Sequence, residues 1–414
     1  MNESIVAEDN TNTPHIMVFM NEFLNTDITA TILCGICILS LFGALWSLVP
    51  WYRTGRLRLA HEEPDPEEEV AEETGLPSLS VVVFSEGNQE EIDTCVDILS
   101  EQDYDHLQIV IVCRATAESR ELLVGRYSGM PNVYVTFIPP GMHNVSERKM
   151  AITVGLKAAI GDVVLTTASN IRPSSSQWLR QMARPFVNSE VEMVLGYSHM
   201  DFKELQGPGR WYRQFDSTTV AAQWIGYALA GRPYRGDGYN LAFRKRTFFE
   251  HKGYASNIFL HYGDDDLFVN EVATGRNCRV CLTPGSIVTT EWGRSAKRVW
   301  TQTKARYRFT SRWLPSGPYA RAGFLSLMNW ILPLSGVGAA LTAWPVYWPA
   351  IFCGVCWMTL QGVQIAIYRR MASVLDATRL WFAIPPFMIL HPVLNFIFNL
   401  KTKSLRKVNY TWQR

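Results

Sequence analysis

Apolar residues fall into two kinds of run along this chain. The short kind, Leu79-Ser-Val-Val-Val-Phe84 and Leu107-Gln-Ile-Val-Ile-Val-Cys113, is rich in β-branched residues and has the length of a buried strand. Helical patterns at 90–102, 117–127 and 146–159 alternate with these runs and with further strand candidates at 133–138 and 162–167. Strands alternating with helices predict a Rossmann-like α/β domain with a parallel, doubly wound sheet, on which ligands bind beyond the carboxyl ends of the strands. The long kind reads as membrane. Residues 28–49 carry no charge over 22 positions, enough at about 1.5 Å per residue to cross a hydrocarbon core of roughly 30 Å. Residues 322–368 carry none over 47, too many for one crossing, and Trp344-Pro345 near the middle predicts two helices joined by a short turn. A last run, 380–400, is interrupted by Pro385-Pro386 and His391-Pro392; it either spans with a break or dips in and returns as a re-entrant or interfacial element.

Composition changes this picture little until charge is placed along it. With 414 residues, 47% hydrophobic, 19% charged and a net charge of +1, the chain is neither disordered nor a strongly basic nucleic-acid binder. Arg53, Arg56 and Arg58 follow the first run and assign the next several hundred residues to the cytoplasm, while Arg369 and Arg370 return the chain there. If 380–400 spans, the basic tail (Lys401, Lys403, Arg406, Lys407, Arg414) lies outside, against the positive-inside rule. The polar segment 1–27, with Glu3, Glu8 and Asp9, lacks a basic leader, so 28–49 reads as a signal anchor.

The expected layout is a polar segment 1–27, a transmembrane helix 28–49 and a basic then acidic linker 50–75. After these come the α/β domain 76–291, a basic and aromatic interfacial segment 292–321, two transmembrane helices in 322–368, the ambiguous 380–400 and the tail 401–414. Three cysteine pairs have CxxC spacing, but no further His or Cys completes a zinc set, and reduced, buried thiols are expected.

Five motifs occur in order: Ser146-Glu-Arg-Lys-Met-Ala151, Gly155-Leu-Lys-Ala-Ala159, Pro173-Ser-Ser-Ser-Gln-Trp-Leu179, Gly238-Tyr-Asn-Leu-Ala-Phe243 and Gly263-Asp-Asp-Asp-Leu-Phe-Val-Asn270. In these the chain resembles the family 2 glycosyltransferases over roughly residues 76–313, most closely the membrane-anchored members of Bacteroidetes-type bacteria. The resemblance implies a GT-A fold and an inverting transfer from a nucleotide-sugar donor. It also implies a lipid-linked or glycan acceptor and a multi-pass protein of the bacterial inner membrane with its catalytic domain in the cytoplasm.

Such a transfer needs a base for the acceptor hydroxyl and a means of offsetting charge on the leaving diphosphate. The resemblance assigns the base to Asp265, between Asp264 and Asp266; three adjacent carboxylates repel one another, which favours proton abstraction near neutral pH. The same triplet could simply cap the helix that begins near Leu267. On the donor side the candidates are Glu86, Asn88, Arg114, Lys149, Asn170, Lys304 and Arg306. On the acceptor side they are Gly236, Asp237, Gly238 and Asn240, in a glycine-rich loop that also reads as an ordinary turn.

Two departures from the family pattern stand out. Family members carry an Asp-x-Asp motif that binds a divalent cation, Mg²⁺ or Mn²⁺, where this chain has Ala168-Ser169-Asn170, so Asn170 is at most one neutral ligand. The second strand is followed by Cys113-Arg114 in place of an aspartate. Eight basic and no acidic residues lie between Trp292 and Arg321, interleaved with aromatics. They either meet the donor diphosphate in place of metal or lie on anionic membrane lipid; nucleic acid is not expected beside a membrane span. Two functions are carried forward: an active transferase, and a catalytically degenerate relative that binds a ligand or scaffolds a partner synthase. A processive polymer synthase is a third, lacking an intact Gln-x-x-Arg-Trp element.

Overall fold

The computed structural model describes residues 28–60, 75–85, 87–114, 117–138 and 145–409; segment 1–27, the acidic part of the linker, Glu86 and the last five residues of the tail lie outside them. The chain forms two units, one made of residues 28–47 with Gly323–Val363 and the other of Leu48–Ala322 with residues 364–409.

The first unit is built from apolar helix. It contains α1 (Ile28–Ser47) and most of two further helices, Ser316–Thr342 and Trp348–Val374. The buried positions of α1 are small (Ala30, Cys34, Cys37, Ser40, Ala44, Ser47) and recur every three or four residues, so one narrow face packs while Ile32, Leu39 and Phe42 stay exposed. A Cβ on Gly43 would stand 2.7 Å from the Phe324 ring, which shows how closely these helices approach. Together with Trp381–Lys401 in the second unit, four helices among the described residues are long and apolar enough to cross a membrane. All eight cysteines are unpaired thiols.

The second unit opens with α2 (Val49–Ala60) and then lays down a seven-stranded sheet. Its first strands, β1 (Leu79–Ser85), β2 (Leu107–Cys113), β3 (Val133–Phe137) and β4 (Val163–Ala168), are parallel in the order β3-β2-β1-β4. The helices between them are α3 (Gln89–Ser100), α4 (Ala117–Tyr127) and α5 (Glu147–Ala158). Strand order reverses between β1 and β4, whose ends are in register at Phe84 and Ala168; this is the switch point where open α/β sheets take ligands. Gly155 lets α5 lie close on the sheet, since a Cβ there would meet Val82 Cγ1 at 2.5 Å.

Beyond β4 the sheet is not parallel throughout. The chain makes β5 (Ile171–Pro173), α6 (Trp178–Ala183), β6 (Met193–Leu195), β7 (Ser198–Met200) and the long α7 (Pro208–Ala228), then re-enters the sheet as β8 (Leu241–Arg244) from the opposite end. β8 therefore runs antiparallel to both β4 and β6, while the central strands β3-β2-β1-β4 keep the parallel arrangement expected from the early alternation. α8 (Lys245–Glu250), α9 (Asp266–Val272), β9 (Cys278–Val280), β10 (Val288–Thr290) and α10 (Ala296–Thr310) complete the unit, with β5-β10-β7 as a second small sheet. The long apolar helices are α11 (Ser316–Thr342) and α12 (Trp348–Val374), followed by α13 (Ile384–Asn409). α13 is continuous through Pro392, and Pro385 and Pro386 lie in its first turn, where a missing N–H leaves no bond unmade. The segment expected either to span with a break or to form a re-entrant or interfacial element is thus one uninterrupted helix from Ile384 onward.

α2 is fixed to α7 by backbone contact. Thr54 Oγ1 donates to Ala222 O at 2.8 Å, and a Cβ on Gly226 would fall 2.0 Å from Pro50 O and 2.5 Å from its carbonyl carbon. Backbone cannot rotate away as a side-chain tip can. Gly226→Ala is therefore expected to force the helices apart and cost about 3 kcal/mol, read as a lowered thermal midpoint of the purified protein; an unchanged midpoint would contradict the contact.

Candidate active site

The acidic triplet is presented by a turn that only glycine makes easily. Gly263 has φ +96°, and a Cβ there would collide with Leu267 Cγ at 2.5 Å. The chain then enters α9, with Asp265 at its N-cap accepting from Asp266 N at 2.8 Å through Oδ1. The capping role and a chemical role are thus compatible, because the second oxygen of Asp265 faces elsewhere.

Each carboxylate meets a different surrounding. Asp264 is buried and shared by two guanidiniums, Arg148 Nε and Arg306 Nη2, the latter at 3.2 Å. Burial alone would raise its pKa, but the two arginines outweigh it and hold the group at about 2. Asp266, also buried, lies 2.9 Å from Arg235 Nε and accepts from Thr310 Oγ1 at 2.6 Å. Here burial, with the neighbouring Asp265 charge, overrides Arg235 and lifts the carboxyl to about 7. Asp265 has no ion-pair partner among the described residues, and its Oδ2 accepts only from Gly238 N, at 3.3 Å. Gly238 is wedged between Asp265 Oδ2 and Arg148 Nη2, each 3.2 Å from where its Cβ would be.

The raised pKa of Asp266 has a measurable consequence. In the unfolded chain the group loses its proton near pH 4, whereas the folded protein holds it to about pH 7. Its contribution to stability is full below about pH 4 and is lost as pH rises through 7. Unfolding midpoints of the native protein relative to Asp266→Asn are expected to fall over this window, and a pH-independent difference would contradict the assignment.

Around the triplet stand aromatic rings and the end of β4. Arg148 lies 4.9 Å above the Tyr239 ring, which meets Trp292 edge-on at 6.2 Å, and Thr167 Oγ1 donates to Tyr239 O at 2.9 Å. The triplet therefore adjoins the switch point. The indole N–H of Trp292 is buried without a partner among the described residues. Arg235 stacks 3.9 Å from the Tyr307 ring and donates to Tyr307 O and Tyr319 Oη.

Of the residues singled out from the sequence, the fold brings Asp264, Asp265, Asp266, Gly238 and Arg306 together. Asp237 borders them, accepting from Ser198 N and Oγ and from Tyr239 N. Others are placed apart. Lys149 is fully buried, with Nζ bonded to Asn257 O at 2.6 Å and Oδ1 at 2.8 Å, and burial lowers it to about 8. Asn240 is fully buried and ties Trp178, Tyr197 and Ser286 together, which leaves its amide no atom for a sugar. Gly236 packs against Val269. Lys304 pairs with Asp216 on the other side of α10. Arg114 pairs with Glu147 after β2, and exposed Asn88 precedes α3 with its amide on Glu91.

Sequence reasoning missed Arg148, Arg235, Tyr239 and Thr310. Arg148 and Tyr239 both lie inside quoted motifs, and helical phase is the signal that could have found Arg148, since adjacent residues point about 100° apart.

The divalent cation expected from the resemblance does not fit the residues present. Ala168 offers no ligand, Ser169 Oγ donates to Glu91, and the Asn170 amide nitrogen donates to Glu291 O at 2.8 Å. Among the described residues no group of three His, Cys, Asp or Glu could hold a metal ion, whereas hard cations require several carboxylate, phosphate or water oxygens.

No family model matches the chain, and no curated protein sequence does. Similar solved structures include the mannosyltransferase PcManGT from Pyrobaculum calidifontis in complex with GDP-Man and Mn²⁺, 18% identical, covering 87% of this chain and 99% of that one with a TM-score of 0.48. TarS of S. aureus in complex with UDP-GlcNAc is 14% identical over 72% of this chain and 73% of its own, with a TM-score of 0.36. Glucosyl-3-phosphoglycerate synthase from Mycobacterium tuberculosis is 11% identical over 59% and 85%, with a TM-score of 0.33. Similarity at this level assigns neither family nor activity to the present chain.

Proposed function

We propose that this chain is an inverting glycosyltransferase of GT-A type. It moves a hexosyl group from a nucleotide-sugar donor to a lipid-linked or polysaccharide acceptor at the cytoplasmic face of a bacterial inner membrane. The observation that carries the reading is the unequal surroundings of the three carboxylates: Asp264 is neutralised by Arg148 and Arg306, Asp266 by Arg235 and Thr310, and Asp265 alone keeps an oxygen free of cations.

In this mechanism Asp265 Oδ2 takes the proton of the acceptor hydroxyl as the hydroxyl oxygen attacks the anomeric carbon from the face opposite the leaving group. The bond from that carbon to the diphosphate breaks, and the nucleoside diphosphate leaves with the electron pair. Arg148 and Arg306 bring two guanidiniums to one carboxylate, a net positive charge beside the base. They retain N–H donors for phosphate oxygens, so charge on the leaving group is offset without a step through metal. Tyr239 and Trp292 supply the ring faces and the unpaired indole N–H that a sugar can use.

A second reading has its own observation. The positions after β2 and β4 lack carboxylates, and Arg114 is engaged by Glu147, which suits a degenerate relative that binds a ligand or scaffolds a partner synthase. Membranes containing the protein should be assayed against a panel of nucleotide sugars with and without EDTA, with Asp265→Asn as control. Turnover that persists in EDTA and disappears in the variant supports the enzyme; no turnover and no donor binding with any sugar leaves the second reading.

A further inference from the structure

We infer that the fourth apolar helix, residues 381–401, does not cross the membrane but lies along its surface, held between the α/β unit and the lipid. This goes beyond the transfer reading and does not depend on it. The inward face of the helix is occupied along its length by the α/β unit. Phe382 meets Trp211 at 5.3 Å between ring centroids, Phe387 meets Phe215 at 5.5 Å, His391 Nδ1 lies 3.3 Å from Tyr212 Oη, and Phe398 meets Trp300 at 6.0 Å. From 382 to 398 is about 24 Å of helix, most of the roughly 30 Å of a hydrocarbon core.

If the helix spanned, α7 and α10 would be drawn into that core beside it. Both carry charge: Arg210 and Arg213 on α7, and Lys304, over the Phe398 ring, with the exposed Lys297 and Arg298 on α10. His391 is the midpoint of the apolar segment and sits 3.8 Å from Asp216 Oδ1, which is ion-paired with Lys304. A spanning helix would place that pair at the bilayer centre, where charged side chains cost several kcal/mol each. A re-entrant path is no alternative, because α13 runs as one helix of 26 residues without a turn.

The outward face fits a lipid surface. Its exposed residues from 383 to 400, Pro386, Leu390, Val393, Phe396, Ile397 and Leu400, are all apolar, and the last five recur at helical spacing. Such a stripe beside a basic flank is the pattern of a helix seated at the headgroup and acyl boundary. The tail charge agrees independently. With three crossings, the basic residues from Lys401 onward lie on the same side as the α/β unit, as the positive-inside rule requires.

The test uses the full chain in sealed membrane vesicles of known orientation, with one epitope inserted in the exposed loop at 203–207 and another at the C-terminus. Protease is expected to remove both from the same side; removal from opposite sides overturns the inference. Nitroxides on a genetically encoded ketone residue at 382, 390 and 397 give an independent readout. Equal depths within about one helical turn, about 5 Å, are expected, whereas 390 lying about 10 Å deeper than 382 would mean that the helix crosses.

Discussion

Replacing Asp265 by asparagine is expected to remove transfer while leaving the protein folded. The substitution separates two roles that this side chain holds at once. As an N-cap its Oδ1 accepts from Asp266 N, and asparagine caps helices about as well as aspartate, so α9 and the contacts beneath it should survive. The acceptor proton is another matter, because an amide oxygen cannot take it at neutral pH. Loss of a general base typically costs 10²- to 10⁴-fold. The expected outcome is therefore a fall in kcat of about three orders of magnitude, with an unchanged thermal midpoint and unchanged donor affinity. A variant retaining more than about a tenth of the native rate would remove Asp265 from the chemistry.

A large loss of stability is expected from Arg235→Met. Arg235 is buried, pairs with Asp266 and spans the gap to Tyr307 and Tyr319. Methionine fills part of the volume but leaves the Asp266 carboxyl, among the described residues, with Thr310 as its one hydrogen-bond donor. Removing one member of a buried pair costs about 3 to 5 kcal/mol; the raised pKa of Asp266 lets it protonate, which sets the expectation at about 3 kcal/mol, the lower end of that range. The companion variant Arg235→Met/Asp266→Leu removes both charges and should be more stable than Arg235→Met alone. If the double variant is the less stable of the two, the cost comes from lost packing and not from a stranded carboxyl.

Sequence alone reached far into this fold where burial is two-sided. β2 was bounded at Leu107 and Cys113 because a central parallel strand buries both faces and reads as an unbroken apolar run. The reversed direction of β8 was not legible, since it follows from the long excursion through α7, and direction leaves no mark on a four-residue strand. In the site, Asp264, Asp265 and Asp266 were conspicuous by adjacency, and the family resemblance pointed to the middle one. Their different surroundings were hidden, because Arg148, Arg235 and Arg306 come from three distant segments. Lys149 illustrates the limit: it shares a motif with Arg148, yet one turns under the helix toward Asn257 while the other reaches Asp264. Asn240 shows another, since a conspicuous polar residue in a glycine-rich loop proves to brace two backbone carbonyls and the Trp178 indole.

α10 carries Arg306 toward Asp264 on one side and Lys304 toward Asp216 on the other. Two residues apart on a helix is about 200° of rotation, so the two ion pairs act as opposed gears on one shaft. Turning the helix to swing Arg306 away from Asp264 also drags Lys304 from Asp216, and with it the contact to Phe398. Arg306 can therefore be redirected by its own side-chain rotations, but not by rolling the helix that bears it.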